Sequence, residues 1–513
     1  MSADITLPWW VFWPMALLAA WAAGVMLLAP SLRWFFRRRI NRVIAQISTR
    51  LEVDLPSFKL TRRQVLIDRL FHDDKVQAAA AAHARASGSA LPEVWRQVDR
   101  YAREIVPSFN AYIYYRVGYA LARAAARLLY RVRVGYVDEA ALAGIDRHST
   151  VVFVMNHRSN MDYVLVAFLA AERATLSFAV GEWARIWPLQ QLVKAMGAFF
   201  VRRNSGSALY RAVLSRYVQM ATEAGVTQAV FPEGGLTIDG KLREPRLGLL
   251  DYMLKGYDER PGEGRRDLVF IPVGLNYDRV LEDRSQLLKL HPDRPRLRGW
   301  AGRWQAIRTT LGFAGANLGL ALSGRWHRLG YACVNFGTPV SMRAWTRAHG
   351  VHFPALDDEQ RRMAVAALGR ELMDAIGAVV PVLPVSLVAS VLLAEPTRAW
   401  SLLDLKAAAH RRMAELATRG ARLYLPRQDH DYALDVGLRM LMLRHVVVAD
   451  DSVDGLYHVA PRQMELLAYY AHAIAHLDGG PAPAQAGSDA GGSSTITPPP
   501  AGEPVAPSRL GAA

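Results

Sequence analysis

The chain has 513 residues, 51% of them hydrophobic, with 62 Lys and Arg against 46 Asp and Glu for a formal net charge of +16. That length supports more than one buried core. The single cysteine, Cys333, excludes an intrachain disulfide framework, a zinc ribbon and a cysteine-ligated iron–sulfur cluster. The positive balance favours a polyanionic partner, whether nucleic acid, an anionic bilayer, a phosphorylated substrate or an acidic carrier.

In chain order, the first element predicted is a membrane anchor. Residues 5–32 carry no charge, and the 21 residues 9–29 suffice as a helix to cross a hydrocarbon core of ~30 Å. Trp9, Trp10 and Trp13 gather at one end and Trp34 lies beyond the other, followed by Arg37, Arg38, Arg39 and Arg42. Aromatic rings favour the interface and arginines the cytoplasmic side, so the N-terminus is expected outside and the remainder in the cytoplasm. A cleaved signal peptide is the alternative, but Asp4 stands in the n-region and arginines occupy the cleavage position.

Residues 60–133 show helical periodicity, broken near Gly88 to Pro92. Between about 132 and 340 the pattern changes: short β-branched or apolar runs at 150–155, 199–201, 228–231, 268–273 and 332–336 alternate with helix-length segments, which argues for an α/β domain. Helical periodicity returns over 357–477. Its apolar run at 379–394 has 16 residues and two prolines, short for a span and better read as buried core. Residues 478–513 hold 14 Pro or Gly in 36 positions and read as a disordered tail. The expected organisation is an anchor with its basic flank (1–50), a helical region (51–131), an α/β domain (132–345), a C-terminal helical region (346–477) and the tail (478–513).

Four polar clusters follow apolar strand runs. In the first, residues 155–162 (MNHRSNMD), His157 and Asp162 would lie about 140° apart on a continuous helix. If Ser159 or Asn160 caps the helix, however, His157 precedes it, Asp162 falls in its first turn, and the two side chains can meet. An Asp that accepts from one imidazole nitrogen fixes the tautomer and leaves the other nitrogen to take a proton from a hydroxyl. The plainer alternative is a capped helix whose histidine satisfies backbone groups. The second cluster, 229–237 (AVFPEGGLT), ends a strand in a glycine turn, where main chain can approach a ligand closely and Glu233 can hold a polyol hydroxyl; the alternative is an ordinary turn. The third, 197–204 (GAFFVRRN), delivers two arginines, suited to phosphate or simply solvated. The fourth is 271–280 (IPVGLNYDRV).

In order and spacing these clusters resemble the four blocks of the glycerolipid acyltransferases: NHRSNMD the His-x4-Asp block, GAFFVRR the second, FPEGG the third and IPVGLNYDRV the fourth. Residues 334–342 (VNFGTPVSM) and 466–477 (LLAYYAHAIAHL), with the helical stretch before the first block, resemble segments that accompany the glycerol-3-phosphate branch. The resemblance covers most of residues 60–477 and implies an α/β fold, a mixed sheet flanked by helices. It also implies an enzyme that moves a fatty acyl group from acyl-CoA or acyl carrier protein to the sn-1 hydroxyl of glycerol 3-phosphate. His157 and Asp162 would then be the general-base dyad; Glu233, Gly234 and Gly235 would meet acceptor hydroxyls, and Arg202 and Arg279 the phosphate. In one departure, Leu236 and Thr237 stand where most members carry Arg-Ser, so the phosphate-binding arginine of that block is absent. Lys241, Arg243 and Arg246 are nearby replacements. That substitution supports a competing acceptor, lysophosphatidate or another alcohol, while a silent lipid-binding scaffold would have no chemical need for the dyad.

Neither a metal nor a resident cofactor is expected. His472 and His476 have a ligand-compatible i,i+4 spacing, but no Glu follows the first histidine, and an amphipathic helix explains them better. Cys333 lies in a β-like run and reads as a small core residue, and Ser159 as a cap rather than a nucleophile. Residues 284–328 carry nine Lys or Arg against one acid, interleaved with Trp300, Trp304, Phe313 and Trp326. This suits an anionic membrane interface better than nucleic acid, for which no motif is present. The expected location is the inner membrane, single-pass, with the catalytic part cytoplasmic.

Overall fold

The structure, a computed structural model, describes residues 57–170, 176–181, 189–202, 205–260, 262, 265–291, 329–450 and 455–479. The expected anchor, most of the basic tryptophan-rich stretch and nearly all of the tail lie outside the described residues. Among the described residues no helix is long and apolar enough to cross a membrane. The apolar run at 379–394 contributes the helix Pro384–Ala394, buried on nearly every side.

An eight-stranded mixed sheet forms the centre: β1 (Arg131–Val137), β2 (Thr150–Met155), β3 (Ser177–Val180), β4 (Phe199–Phe200), β5 (Gln228–Val230), β6 (Leu268–Tyr277), β7 (Tyr331–Phe336) and β8 (Val340–Ser341). The strand order is β1-β7-β6-β2-β5-β3-β4, with β8 pairing β6. β6, β2, β5, β3 and β4 run parallel, whereas β7 and β8 are antiparallel to β6. All ten residues of β6 are buried, as expected for a strand covered on both faces.

Alternation along the strands sends side chains to two cores. Val152, Val154, Leu268 and Phe270 join a cluster with the helices Arg63–Phe71, Leu91–Ile105, Ala208–Glu223 and Asp358–Val379. Ile271, Val273 and Leu275 join the opposite cluster, with helices Met161–Ala170, Pro384–Ala394 and Met464–Ala471. The result is a helix–sheet–helix sandwich in which the N-terminal helices cover one face and much of the C-terminal region the other. Local signals explain the helix ends. Gly88, at φ 64°, ends one N-terminal helix, and a proline opens the next at Leu91. Asp357 and Gln360 form a reciprocal capping box on the 22-residue helix Asp358–Val379. A small antiparallel sheet of Trp400–Ser401, Val447–Ala449 and Leu456–Val459 belongs to the C-terminal region.

Two glycines set how closely that region approaches the sheet. A Cβ on Gly274, in β6, would overlap the main chain at Val379 and Val380. Gly240 has φ +89°, and a Cβ there would overlap the carbonyl of Tyr469. Only hydrogen fits at either place. Gly240→Ala should therefore cost about 3 kcal/mol through strain and overpacking, measurable as a lower urea midpoint than that of the parent.

Candidate active site

The four clusters include or follow the carboxyl ends of mutually parallel strands, so they meet at one end of the sheet, where α/β folds bind ligands. The first begins with Asn156, whose side chain continues the ladder beyond β2: Nδ2 donates to Leu275 O at 2.9 Å, and Leu275 N–H donates to Asn156 Oδ1 at 2.8 Å. One side-chain amide thus replaces a rung and releases the backbone into a turn. His157 follows, and the helix Met161–Ala170 opens after Asn160, which places Asp162 in its first turn.

His157 Nδ1 lies 2.9 Å from Asp162 Oδ2. That oxygen also accepts from the N–H groups of Arg158 (2.8 Å) and Ser159 (3.0 Å), while Oδ1 accepts the Tyr277 hydroxyl at 2.5 Å. Histidine and aspartate are 2% and 0% exposed. With an acceptor at Nδ1, the neutral ring carries its proton there, and Nε2, buried and without a partner among the described residues, keeps a free lone pair. Phe231 stacks on the imidazole with centroids 4.0 Å apart, and Tyr163 meets its edge.

The second cluster grips the histidine by its backbone. His157 N–H donates to Glu233 Oε1 at 2.8 Å, and Thr237 N–H donates to His157 O at 2.9 Å. Glu233 Oε2 is buried without a partner. Burial raises the Glu233 carboxyl to about 7, against the pull of the His157 N–H and the positive charges of Arg158 and Arg243. Gly234 makes the turn at φ +67°, where a side chain would strike Arg246, and Gly235 is buried beside it. Thr237, one of the two departures from the family pattern, organises the next loop: its hydroxyl donates to Lys241 O and accepts Gly240 N–H.

The predicted phosphate ligands are placed less uniformly. Arg202 follows β4, three strands from β2 and so about 14 Å across the sheet. Its guanidinium forms a two-pronged ion pair with Glu104, at 2.8 and 2.6 Å, between the rings of Tyr101 and Tyr210. Arg279 is half-buried after β6, where burial and the neighbouring charge of Arg444 pull its pKa down. Arg243 is half-buried and its charge reaches Glu233, whereas Arg246 and Lys241 are exposed.

Several supports escaped sequence reasoning. Glu282 accepts from the Ser159 hydroxyl (2.7 Å) and from the backbone (3.2 Å) and side-chain amide (3.0 Å) of Asn160, clamping the turn. Asp283, Arg444 and Tyr470 form a buried hydrogen-bonded trio, and the Tyr470 hydroxyl accepts Val280 N–H, which ties the fourth cluster to the C-terminal region. Ser159 also accepts Met161 N–H, so its hydroxyl is engaged at the helix start. Cys333 is buried, and burial pushes its thiol up to about 12. His472 and His476 bond the carbonyls of Asp239 and Gly377.

Two expectations follow. Tyr277→Phe leaves Asp162 Oδ1 without its buried donor, a loss of about 1–3 kcal/mol; a lower urea midpoint than the parent's checks it. Glu233 keeps its proton to about pH 7 when folded but releases it near 4.5 when unfolded. The protonated carboxyl therefore contributes stability that is complete below pH 4.5 and is lost as pH rises to 7. Melting curves of parent and Glu233→Gln across that window should diverge, the parent losing more stability on the alkaline side.

Comparisons with known proteins agree with this architecture. Residues 140–276 match the acyltransferase family model, and residues 318–482 match the model of the glycerol-3-phosphate acyltransferase C-terminal region. A glycerol-3-phosphate acyltransferase of Xanthomonas campestris is 28% identical over 72% of this chain and 40% of its own length. One of Pseudomonas putida is 26% identical over 82% of this chain and 49% of its own. The chain thus spans less than half the length of these curated relatives. A solved structure, the 1-acyl-sn-glycerophosphate acyltransferase of Thermotoga maritima, aligns with 50% of this chain and 77% of that chain at 18% identity and a TM-score of 0.27, too loosely to bear on the argument. An acyltransferase segment is thus followed by a segment that matches the C-terminal region of glycerol-3-phosphate acyltransferases, and the chain resembles that family in both.

Proposed function

We propose that this protein transfers a fatty acyl group from a thioester to the sn-1 hydroxyl of glycerol 3-phosphate. The observation that carries the reading is the buried His157–Asp162 contact at 2.9 Å, with the opposite ring nitrogen unpartnered. Nε2 takes the proton of the hydroxyl as its oxygen attacks the thioester carbonyl. The tetrahedral intermediate then expels the thiolate, which receives that proton back from the imidazolium and leaves as a free thiol. Asp162 holds the ring and stabilises its charged form. No acyl-enzyme is required, because positioning two substrates against one base supplies the acceleration, and the engaged hydroxyl of Ser159 and the buried thiol of Cys333 suit a nucleophile's role poorly.

With His157 2% exposed, the reaction needs part of the cover over the ring to open when substrates enter. The names of the relatives support glycerol 3-phosphate as acceptor, and in this reading the thioester donor is acyl-CoA or acyl carrier protein. The uncharged N-terminal stretch and the net charge of +16 support a membrane location with the catalytic part on the cytoplasmic side. Leu236, standing where the third block usually carries arginine, favours the second reading, acylation of lysophosphatidate.

Purified full-length protein incubated with labelled acyl-CoA or acyl carrier protein and each acceptor tests both readings. Product from glycerol 3-phosphate is expected; product from lysophosphatidate alone would establish the second reading. His157→Ala should lose about 10³-fold or more in kcat and Asp162→Asn about 10²-fold. A His157→Ala enzyme within about tenfold of the parent would remove the general-base role.

A further inference from the structure

Arg158, the residue after the dyad histidine, is 3% exposed. Its Nη1 donates to Gly240 O at 2.9 Å, and the guanidinium lies 5.3 Å from the centroid of the Tyr469 ring. Nε and Nη2 are buried, and among the described residues they find no acceptor and no carboxylate pairs with this side chain. Arginine stays charged throughout the physiological range, and a buried charge with unfilled donors is costly unless an anion completes it.

Three other unpartnered polar atoms lie in the same region: Glu233 Oε2, the Tyr469 hydroxyl and His476 Nδ1. Burial dominates at all three residues, raising the pKa of Glu233 and Tyr469 and lowering that of His476, and the charge of Arg158 acts on each as a smaller downward pull. They come from the loop after β5 and from the C-terminal region, which meet Arg158 where Gly240 packs against Tyr469. Two guanidinium nitrogens on one edge of a planar fork match two oxygens of a tetrahedral oxyanion, and a phenol hydroxyl adds a further donor. Glu233, bonded to the His157 N–H, links this region to the dyad.

We propose that Arg158, with the Tyr469 hydroxyl, is the subsite for the acceptor's phosphomonoester, supplying the charge that Leu236 does not. The proposal rests on the acyl-transfer reading, because it places the anion of the acceptor beside the base that activates its hydroxyl. It also gives the C-terminal region a direct part in acceptor choice.

The test uses full-length protein carrying Arg158→Lys, Arg158→Gln or Tyr469→Phe, with glycerol 3-phosphate and glycerol as paired acceptors. For Arg158→Gln, selectivity for the phosphorylated acceptor over glycerol should fall about 30-fold or more, mainly through KM, with Arg158→Lys recovering part of it. Inorganic phosphate should protect the parent against heat and fail to protect Arg158→Gln. Unchanged selectivity together with unchanged phosphate protection would overturn the proposal. Should both Arg158 variants unfold, Tyr469→Phe decides, since it removes only a hydroxyl: a KM for glycerol 3-phosphate raised about fivefold supports the subsite, and an unchanged KM refutes it. If the parent acylates no acceptor, the acyl-transfer reading fails by itself, while phosphate protection lost in Arg158→Gln would still establish the anion site.

Discussion

Asp162 is fully buried, and its two oxygens receive hydrogen bonds from the His157 ring, two consecutive backbone N–H groups and the Tyr277 hydroxyl. The carboxylate can sit there only because the chain between β2 and the following helix wraps around it: backbone donors at Arg158 and Ser159 point inward at the one acceptor able to serve both. Burial raises the Tyr277 hydroxyl well above its usual range, with the negative charge of Asp162 adding to the effect, so the phenol remains a donor. Removing the acid would orphan several buried donors at once. Loop shape and ring orientation therefore depend on the same group, and neither can be altered alone.

The surrounding supports come from distant parts of the chain. Glu282 fastens the turn from just beyond the fourth cluster, Glu233 and Thr237 fasten the histidine backbone from the second, and Asn156 fastens the end of β2 to β6. Behind these, Asp283, Arg444 and Tyr470 attach the fourth cluster to the C-terminal helices. Arg444 is held beside Asp283 with both largely out of water, a costly arrangement that persists because every partner is also hydrogen-bonded. The C-terminal region is thus part of the site's framework rather than a separate appendage, in keeping with its close approach at Gly240 and Gly274.

The sequence made some of this plain and hid the rest for identifiable reasons. The run at 150–155 is β2 itself, because uninterrupted β-branched and apolar residues suit a strand buried between two layers. The meeting of His157 and Asp162 followed from where a cap would start the helix, and the helix does open at Met161. β1 was harder to see: Arg131 and Arg133 alternate with valine on an edge strand that is largely exposed. The destination of Arg202 depends on Glu104, 98 positions away, which no local pattern reports. Arg158 and Tyr277 stood in plain view inside the motifs, but their partners at Gly240, Tyr469 and Asp162 are long-range choices made by the fold.

Phe231 lies almost flat against the His157 ring. A benzene face carries the negative lobe of its quadrupole, so it attracts a cation more strongly than a neutral heterocycle. The same contact that excludes water from the imidazole sets a π face against the ring that holds the proton in transit. An aliphatic residue at 231 would still keep water out but would offer that fleeting charge no compensating π cloud.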